Sequence, residues 1–262
     1  MSHKISIIIP VLNEAETIGS LIEYLSKYST DKNIAEIIVV DGGSTDGSID
    51  IVSEISTENS FSKNHCNTHR EALLSEKGKQ EQNKFKTTVK LIPSEKGRAK
   101  QLNNGAKLAN GDIFYFLHAD SFPPKGFDDF IISNVDNGNR AGCFRMQFDS
   151  KHWWLQLASW LTQFSWRACR GGDQSQFITR ELFDEIGGYD ESYIIYEDNI
   201  LINELFARNE FKVINKKLLT SARLYKRHGV WKLQYYFWAI YIKKWFGASA
   251  DDLFAYYTKK IC

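Results

Sequence analysis

His118 and Asp120 close an apolar run, Ile113-Phe114-Tyr115-Phe116-Leu117, and set two potential ligands for a hard cation at its end. Gly111-Asp112 before the run and Pro123-Pro124 after it mark a buried central strand, whose carboxyl end lies at the edge where open α/β sheets bind ligands. Asp41 ends a second run, Glu36 to Val40, ahead of Gly42-Gly43-Ser44-Thr45-Asp46-Gly47. A carboxylate there can accept bonds from a ribose or a base edge, or it can cap the turn and, with Ser44, the next helix. Arg98 falls in the first turn of a helix near the same edge, where its guanidinium fork suits a diphosphate or nucleotide. His65, Cys66 and His69 lie in a polar stretch without a fourth ligand, which argues against a metal site.

Such residues act only if strands and helices bring them to one edge. Ile5 to Ile9 is a continuous aliphatic run, the mark of a strand buried on both faces, and Ile18, Leu21, Ile22 and Leu25 predict a helix after it. Pro10-Val11-Leu12-Asn13-Glu14 joins the two without glycine, unlike the loops that bring backbone against phosphate in dinucleotide sites and nucleotidyltransferases. After the Asp41 strand, Ile49, Val52 and Ile55 predict a second helix. Thr57 to Lys86 has no periodicity and reads as a solvated insertion. Val89 to Ile92 resumes the sheet, and Ala99, Leu102, Ala106 and Ala109 form a small-residue stripe that lets a third helix lie close to it. Strand and helix thus alternate up to the His118 strand, the pattern of a mostly parallel sheet covered on both faces.

The later chain supplies further groups. Ala141 to Phe148 alternates polar and apolar residues, as a half-buried strand would. Trp153 to Trp166 reads as an uncharged helix with four tryptophans, short of the roughly 20 residues that span a bilayer. Gly171-Gly172-Asp173-Gln174 leads into a strand from Ser175 to Thr179, a helix ends at Gly187, and Glu197-Asp198 opens another that carries Ile202, Leu205 and Phe206. Trp231 to Phe246 mixes aromatics with Lys232, Lys243 and Lys244; it suits a bilayer surface, a helix packed on the catalytic domain, or a contact with a second copy.

Composition narrows the class. The 262 residues carry 33 Lys and Arg against 32 Asp and Glu, and a net charge of +1 argues against a nucleic-acid binder. Cys66, Cys143, Cys169 and Cys262 show no paired spacing, which suits a reducing cytoplasm. No signal peptide is expected at Met-Ser-His-Lys, and no apolar run reaches spanning length, so the expected location is the cytoplasm or the inner face of the membrane.

Ile7-Ile8-Ile9-Pro10-Val11-Leu12-Asn13-Glu14, Val39-Val40-Asp41-Gly42-Gly43-Ser44-Thr45-Asp46-Gly47 and Leu117-His118-Ala119-Asp120 resemble the successive nucleotide-sugar motifs of family 2 glycosyltransferases with the GT-A fold. Gly97-Arg98-Ala99-Lys100-Gln101, with Leu117 to Ser121 and Thr220 to Gly229, is similar to a bacterial subgroup associated with radical-SAM and selenium-related proteins. The resemblance implies a single GT-A domain over 1–230, interrupted by the 57–86 insertion, and a helical segment over 231–262. It implies a donor of the UDP- or GDP-sugar type met by Pro10, Asn13, Glu14, Asp41, Gly43, Arg98, Gln101 and His118, with Arg223 and Arg227 closing over the diphosphate. It also implies Mn²⁺ or Mg²⁺ at Asp120; His118 stands where the family usually has an acidic residue, and His228 can complete the metal shell. Charge that builds on a departing diphosphate is what such a cation stabilises. Asp173 and the Glu197-Asp198 pair would line the acceptor side, with Asp198 as the base that takes a proton from a hydroxyl acceptor, lipid-linked or not, in an inverting transfer. Nucleotidyl transfer and a non-catalytic sugar-binding module are the alternative readings.

Overall fold

The computed structural model describes residues 3–64, 87–171 and 174–261. Most of the expected insertion, with His65, Cys66 and His69, lies outside the described residues, and so does Asp173. The first half alternates as the hydrophobic pattern requires: β1 (Ile5–Val11), α1 (Ile18–Tyr28), β2 (Ile34–Asp41), α2 (Ser48–Asn64), β3 (Val89–Pro93), α3 (Arg98–Leu108) and β4 (Ile113–Phe116). The strands pair in parallel as β3-β2-β1-β4. Helices cover both faces, so Ile5, Ile7, Ile8 and Ile9 are all fully buried and the β1 run shows no alternation. Helix α2 runs past Thr57, where the polar stretch begins, to Asn64.

Helix α3 lies close to the sheet because its inner face is small. A Cβ on Gly105 would stand 2.5 Å from Ile8 Cγ2 and 3.0 Å from Val40 Cγ2. This contact brings Arg98, at the first turn, over the carboxyl ends of β1 and β2.

The second half is β5 (Ser121–Phe122), α4 (Phe127–Asp136), β6 (Ala141–Phe148), α5 (Trp153–Leu161), β7 (Gln176–Thr179), α6 (Arg180–Ile186), α7 (Glu197–Ala207), β8 (Phe211–Thr220), α8 (Arg223–His228), α9 (Val230–Trp245) and α10 (Ala250–Lys260). The sheet has eight strands in the order β3-β2-β1-β4-β7-β6-β8-β5, with β7 antiparallel to β4 and β6, and β8 parallel to β6. Strand β6 alternates only from Arg145 onward; its first half is buried on both faces. Helix α5 stops at Leu161 rather than reaching Trp166. The Thr162 hydroxyl donates to Ser159 O (2.7 Å) and accepts from Met146 N (3.0 Å), which ties the helix end to β6. The buried Arg170 guanidinium then donates to Thr162 O (2.5 Å) and Phe164 O (2.7 Å), carbonyls just past the helix end.

Helices α9 and α10 pack on each other through Leu233, Ile240, Leu253 and Ile261, and reach the rest of the molecule through Tyr193, Tyr196 and Leu224.

Strands β6 and β8 meet without room for a side chain at one position. A Cβ on Gly142 would stand 2.0 Å from Lys212 O, a backbone atom held in the β6–β8 ladder. Gly142→Ala is expected to cost about 3 kcal/mol or more. Urea denaturation checks this; an unchanged midpoint means that the two strands can separate there freely.

Candidate active site

The carboxyl ends of β1 and β2 are tied into one rigid platform. The Gln101 amide, buried beneath Gly42, donates to Val11 O (2.9 Å) and Val40 O (2.8 Å). Gln101 is therefore a clip between strand ends. The Pro10 to Glu14 loop is laced to the Asp41 turn: Asn13 N donates to Ser44 Oγ (2.9 Å), Thr45 N to Asn13 Oδ1 (2.8 Å), Glu14 N to Ser48 Oγ (2.9 Å) and Ala15 N to Asp46 Oδ2 (2.9 Å). Asn13 takes up a left-handed conformation, φ 59°, to make these bonds. Asp41 accepts from Gly43 N (2.8 Å) and Ser44 N (3.1 Å), so the carboxylate caps its own turn. Gly43, at φ 95°, has open space where a Cβ would lie.

Asp120 is brought in by the short strand that follows it. Ser121 pairs with Thr220 across the β5–β8 ladder, and their hydroxyls lie 2.9 Å apart. This pairing delivers Arg223, three residues past Thr220, to the turn: its Nε lies 3.4 Å from Asp120 Oδ2, and its Nη2 donates to Glu14 Oε1 in a close ion pair. One guanidinium thus bridges two carboxylates from distant parts of the chain. Arg227, on the same helix, is exposed. His228 is half-buried, and its Nε2 is enclosed with no hydrogen-bond partner among the described residues.

A second charged group lies at a cavity that His118 also lines. Arg98 Nη1 approaches Asp198 Oδ2 (3.1 Å) and Glu197 Oε1 (3.2 Å). Only the contact to Asp198 meets hydrogen-bond geometry, so Glu197 Oε1 has the charge beside it without an aligned donor. Arg98, expected at a diphosphate, thus lies beside the Glu197-Asp198 pair. A cavity with about 10 Å³ open to the centre of a water molecule is lined by Pro10, Arg98, His118, Gln176, Tyr189 and Asp198, among others. Gln176 and Tyr189 are buried, and the Gln176 Nε2 and Tyr189 hydroxyl atoms have no hydrogen-bond partner among the described residues. Sequence reading found the strand and the Gly187-Gly188 turn that carry them, but not these two side chains, because nothing local marks which buried polar group is left unpaired. Asn103 fixes the Tyr189 backbone from both sides, with Tyr189 N donating to Oδ1 (2.9 Å) and Nδ2 donating to Tyr189 O (2.9 Å).

The residues fit a hard divalent cation of limited kind. Among the described residues no three His, Cys, Asp or Glu side chains form a metal-holding group. Glu14 and Asp120 do converge on one positive group, and one or two carboxylates suffice for Mg²⁺ or Mn²⁺ when waters and phosphate oxygens complete the shell. His118 lines the Arg98–Asp198 cavity, whereas Asp120 faces Arg223.

Burial pushes the Glu197 carboxyl up, Arg98 pulls it back and Asp198 pushes it up again, leaving it at about 7. Burial, and then the Asp198 and Glu197 charges, also raise the Tyr189 hydroxyl.

Comparison with known proteins agrees with this architecture. The profile of "Glycosyl transferase family 2" matches residues 6–190. The Bacillus subtilis (strain 168) protein named "Probable glycosyltransferase YdaM" is 25% identical over 216 residues, 76% of this chain and 46% of that protein. A Methanococcus voltae protein, named as a dolichyl N-acetyl-alpha-D-glucosaminyl phosphate 3-beta-D-2,3-diacetamido-2,3-dideoxy-beta-D-glucuronosyltransferase, is 29% identical over 137 residues, 52% of this chain and 34% of that protein. The chain therefore spans less than half the length of either relative. The mannosyltransferase PcManGT from Pyrobaculum calidifontis, solved in complex with GDP-Man and Mn²⁺, shares the fold at TM-score 0.59 with 19% identity, over 92% of this chain and 61% of that one.

An ionised Glu197 is costly in this surrounding. Its ordinary value is 4.5, so the native state loses stability relative to the unfolded chain as pH rises from 4.5 to about 7, and the loss is constant above that. Glu197→Gln should therefore melt at a higher temperature than the wild type at pH 8, by the equivalent of up to about 3 kcal/mol, with the gap closing toward pH 4.5. Equal melting at pH 8 would mean that Arg98 compensates the charge in full.

Proposed function

The chain belongs to glycosyl transferase family 2, and on that premise we propose that it moves a sugar from a UDP- or GDP-sugar to a hydroxyl acceptor, with inversion at the anomeric carbon. This reading rests above all on two carboxylate groups flanking His118: Glu14 with Asp120 on one side, and Glu197 with Asp198 on the other. A transfer needs one group to manage charge on a leaving diphosphate and another to take a proton from the acceptor.

On the donor side, Asp41 and Gly43 meet the nucleoside, while Pro10, Asn13 and the Gln101-clipped platform keep that pocket rigid. Asp120, with Glu14 beside it and His118 and His228 as further candidates, would hold Mn²⁺ or Mg²⁺. A divalent cation there supplies charge stabilisation to the β-phosphate as the anomeric carbon–oxygen bond breaks. Arg223 and Arg227 carry positive charge to the same diphosphate. On the acceptor side Asp198 accepts the hydroxyl proton as that oxygen attacks the anomeric carbon from the face opposite the diphosphate. Arg98 holds Asp198 by a hydrogen bond, and Glu197, protonated over part of the neutral range, limits the negative charge there. Asp173 is assigned to the acceptor side by its motif alone.

Finer assignments extend the same reading. The Gly97 to Gln101 and Thr220 to Gly229 strings support the radical-SAM and selenium-associated subgroup. Residues 1–230, with the 57–86 insertion, would form the transferase domain, and 231–262 a helical segment with its own Leu233, Ile240, Leu253 and Ile261 cluster. The acceptor would be lipid-linked and the enzyme would act at the inner face of the membrane; no helix among the described residues is long and apolar enough to cross one.

Asp120→Asn is expected to abolish the Mn²⁺-dependent part of the thermal stabilisation given by UDP or GDP, and transfer with it; intact metal-dependent stabilisation removes Asp120 from the site. Asp198→Asn should leave that stabilisation in place and lower transfer by about a hundredfold or more. Loss of nucleotide binding instead would make Asp198 a structural partner of Arg98.

A further inference from the structure

Helix α9 presents apolar residues on two sides. Leu233, Phe237 and Ile240 face the molecule, while Trp231, Tyr235, Trp238, Ile242 and Trp245 recur every three or four residues and are 52%, 63%, 46%, 53% and 85% exposed. Helix α5 carries a matching stripe, Trp153, Leu157 and Trp160, exposed by 61%, 38% and 51%. The stripes join: Trp153 and Trp154 lie 5.7 and 5.4 Å from Trp231 between ring centroids, and Trp154 lies 6.0 Å from Trp238. Phe246, 83% exposed, continues the face past Trp245.

The exposed charge along these stripes is mostly positive. Residues 150–172 and 221–250, which contain both stripes, have no Asp or Glu, and Lys151, Arg227, Lys232 and Lys243 are exposed there. Arg170 is buried, Arg223 and Lys226 are paired with Glu14, Asp120 and Asp149, and Asp251 and Asp252 follow the second segment. The whole chain is nearly neutral, so this separation is local.

We propose that the α5–α9 face docks on the surface of an anionic lipid bilayer. Indole and phenol rings, with an apolar body and a polar tip, settle at the depth of the headgroups, and lysines beside them reach the lipid phosphates. A second copy of the chain is less well matched: a helix–helix seam favours branched aliphatic side chains, and two faces of one sign would repel.

The docked helix touches both halves of the candidate site. Gly229 alone separates α9 from α8, whose Arg223 spans Glu14 and Asp120. Tyr241 of α9 packs on Tyr196 at 5.5 Å, and Tyr196 precedes Glu197. A membrane at this face would meet the cleft from its acceptor side. This last point rests on the proposed lipid-linked acceptor; the docking itself does not.

Flotation of the full chain with vesicles of phosphatidylcholine, alone or mixed with phosphatidylglycerol, tests the proposal. The wild type is expected to float with the mixed vesicles and to lose binding in high salt. Trp245→Ala with Phe246→Ala, at positions that carry little of the fold, should weaken binding by about tenfold or more, and Lys232→Glu should weaken it on the mixed vesicles only. No flotation with either vesicle, or flotation indifferent to these substitutions, overturns the proposal. So does a dimer in light scattering that the Trp245→Ala, Phe246→Ala variant dissolves. Thermal stabilisation by UDP or GDP with Mn²⁺, measured on the same samples, reads the nucleotide site separately, so a failure of docking and a failure of the transferase reading are distinguishable.

Discussion

Four carboxylates, Glu14, Asp120, Glu197 and Asp198, crowd the carboxyl edge of the sheet, and two guanidinium groups hold them there. Two like charges about 4 Å apart repel by about 4 kcal/mol at an effective dielectric constant near 20, so this edge would not stay closed unaided. The compensating arginines come from elements remote in sequence. Arg98 needs α3 close against β1 and β2, which Gly105 permits; Arg223 needs β8 to run beside β5 and end at Thr220. Sheet order, helix packing and the site are thus answers to one electrostatic constraint.

Much of this edge was legible in the chain. Unbroken aliphatic runs ending in Pro10, Asp41 and His118 announced buried parallel strands, because a strand covered on both faces has no reason to alternate. The helix stripes of α1 and α3 were equally plain. What stayed hidden depends on distant partners. Strand β5 has two residues, and only its pairing with β8 makes it a strand. Helix α5 looked longer than it is because the chain beyond Leu161 is tied to remote partners, Thr162 to Met146 and both Thr162 O and Phe164 O to Arg170. The Gln101 NH2 group ties Val11 O to Val40 O, two backbone atoms that no local pattern connects. Its neighbour Arg98 carried the right chemistry and a different partner.

The site also carries local strain. Three of the four non-glycine residues with positive φ among the described residues, Asn13, Ser175 and Tyr196, adjoin Glu14, Gln176 and Glu197. Each left-handed residue of this kind costs of the order of 1–3 kcal/mol, and a buried Glu197 adds to the load. Folded chains accept such costs where geometry has to be right before a substrate arrives, and the satisfied core of α1, β1 and β2 supplies the surplus.

The brevity of β5 has a consequence for motion. Asp120 is anchored on its C-terminal side by two ladder pairs and one hydroxyl contact, whereas the strands behind it are pinned by long runs of buried isoleucine. Opening that corner would also uncover Phe122, which packs on the main core and edge-on against Tyr24 at 5.3 Å. The platform that Gln101 clips is held by hydrogen bonds between strand ends, whereas the Asp120 wall is held by packing behind a two-residue strand. A substitution that shrinks Phe122 would therefore reach the site through the core and not through any side chain that faces it.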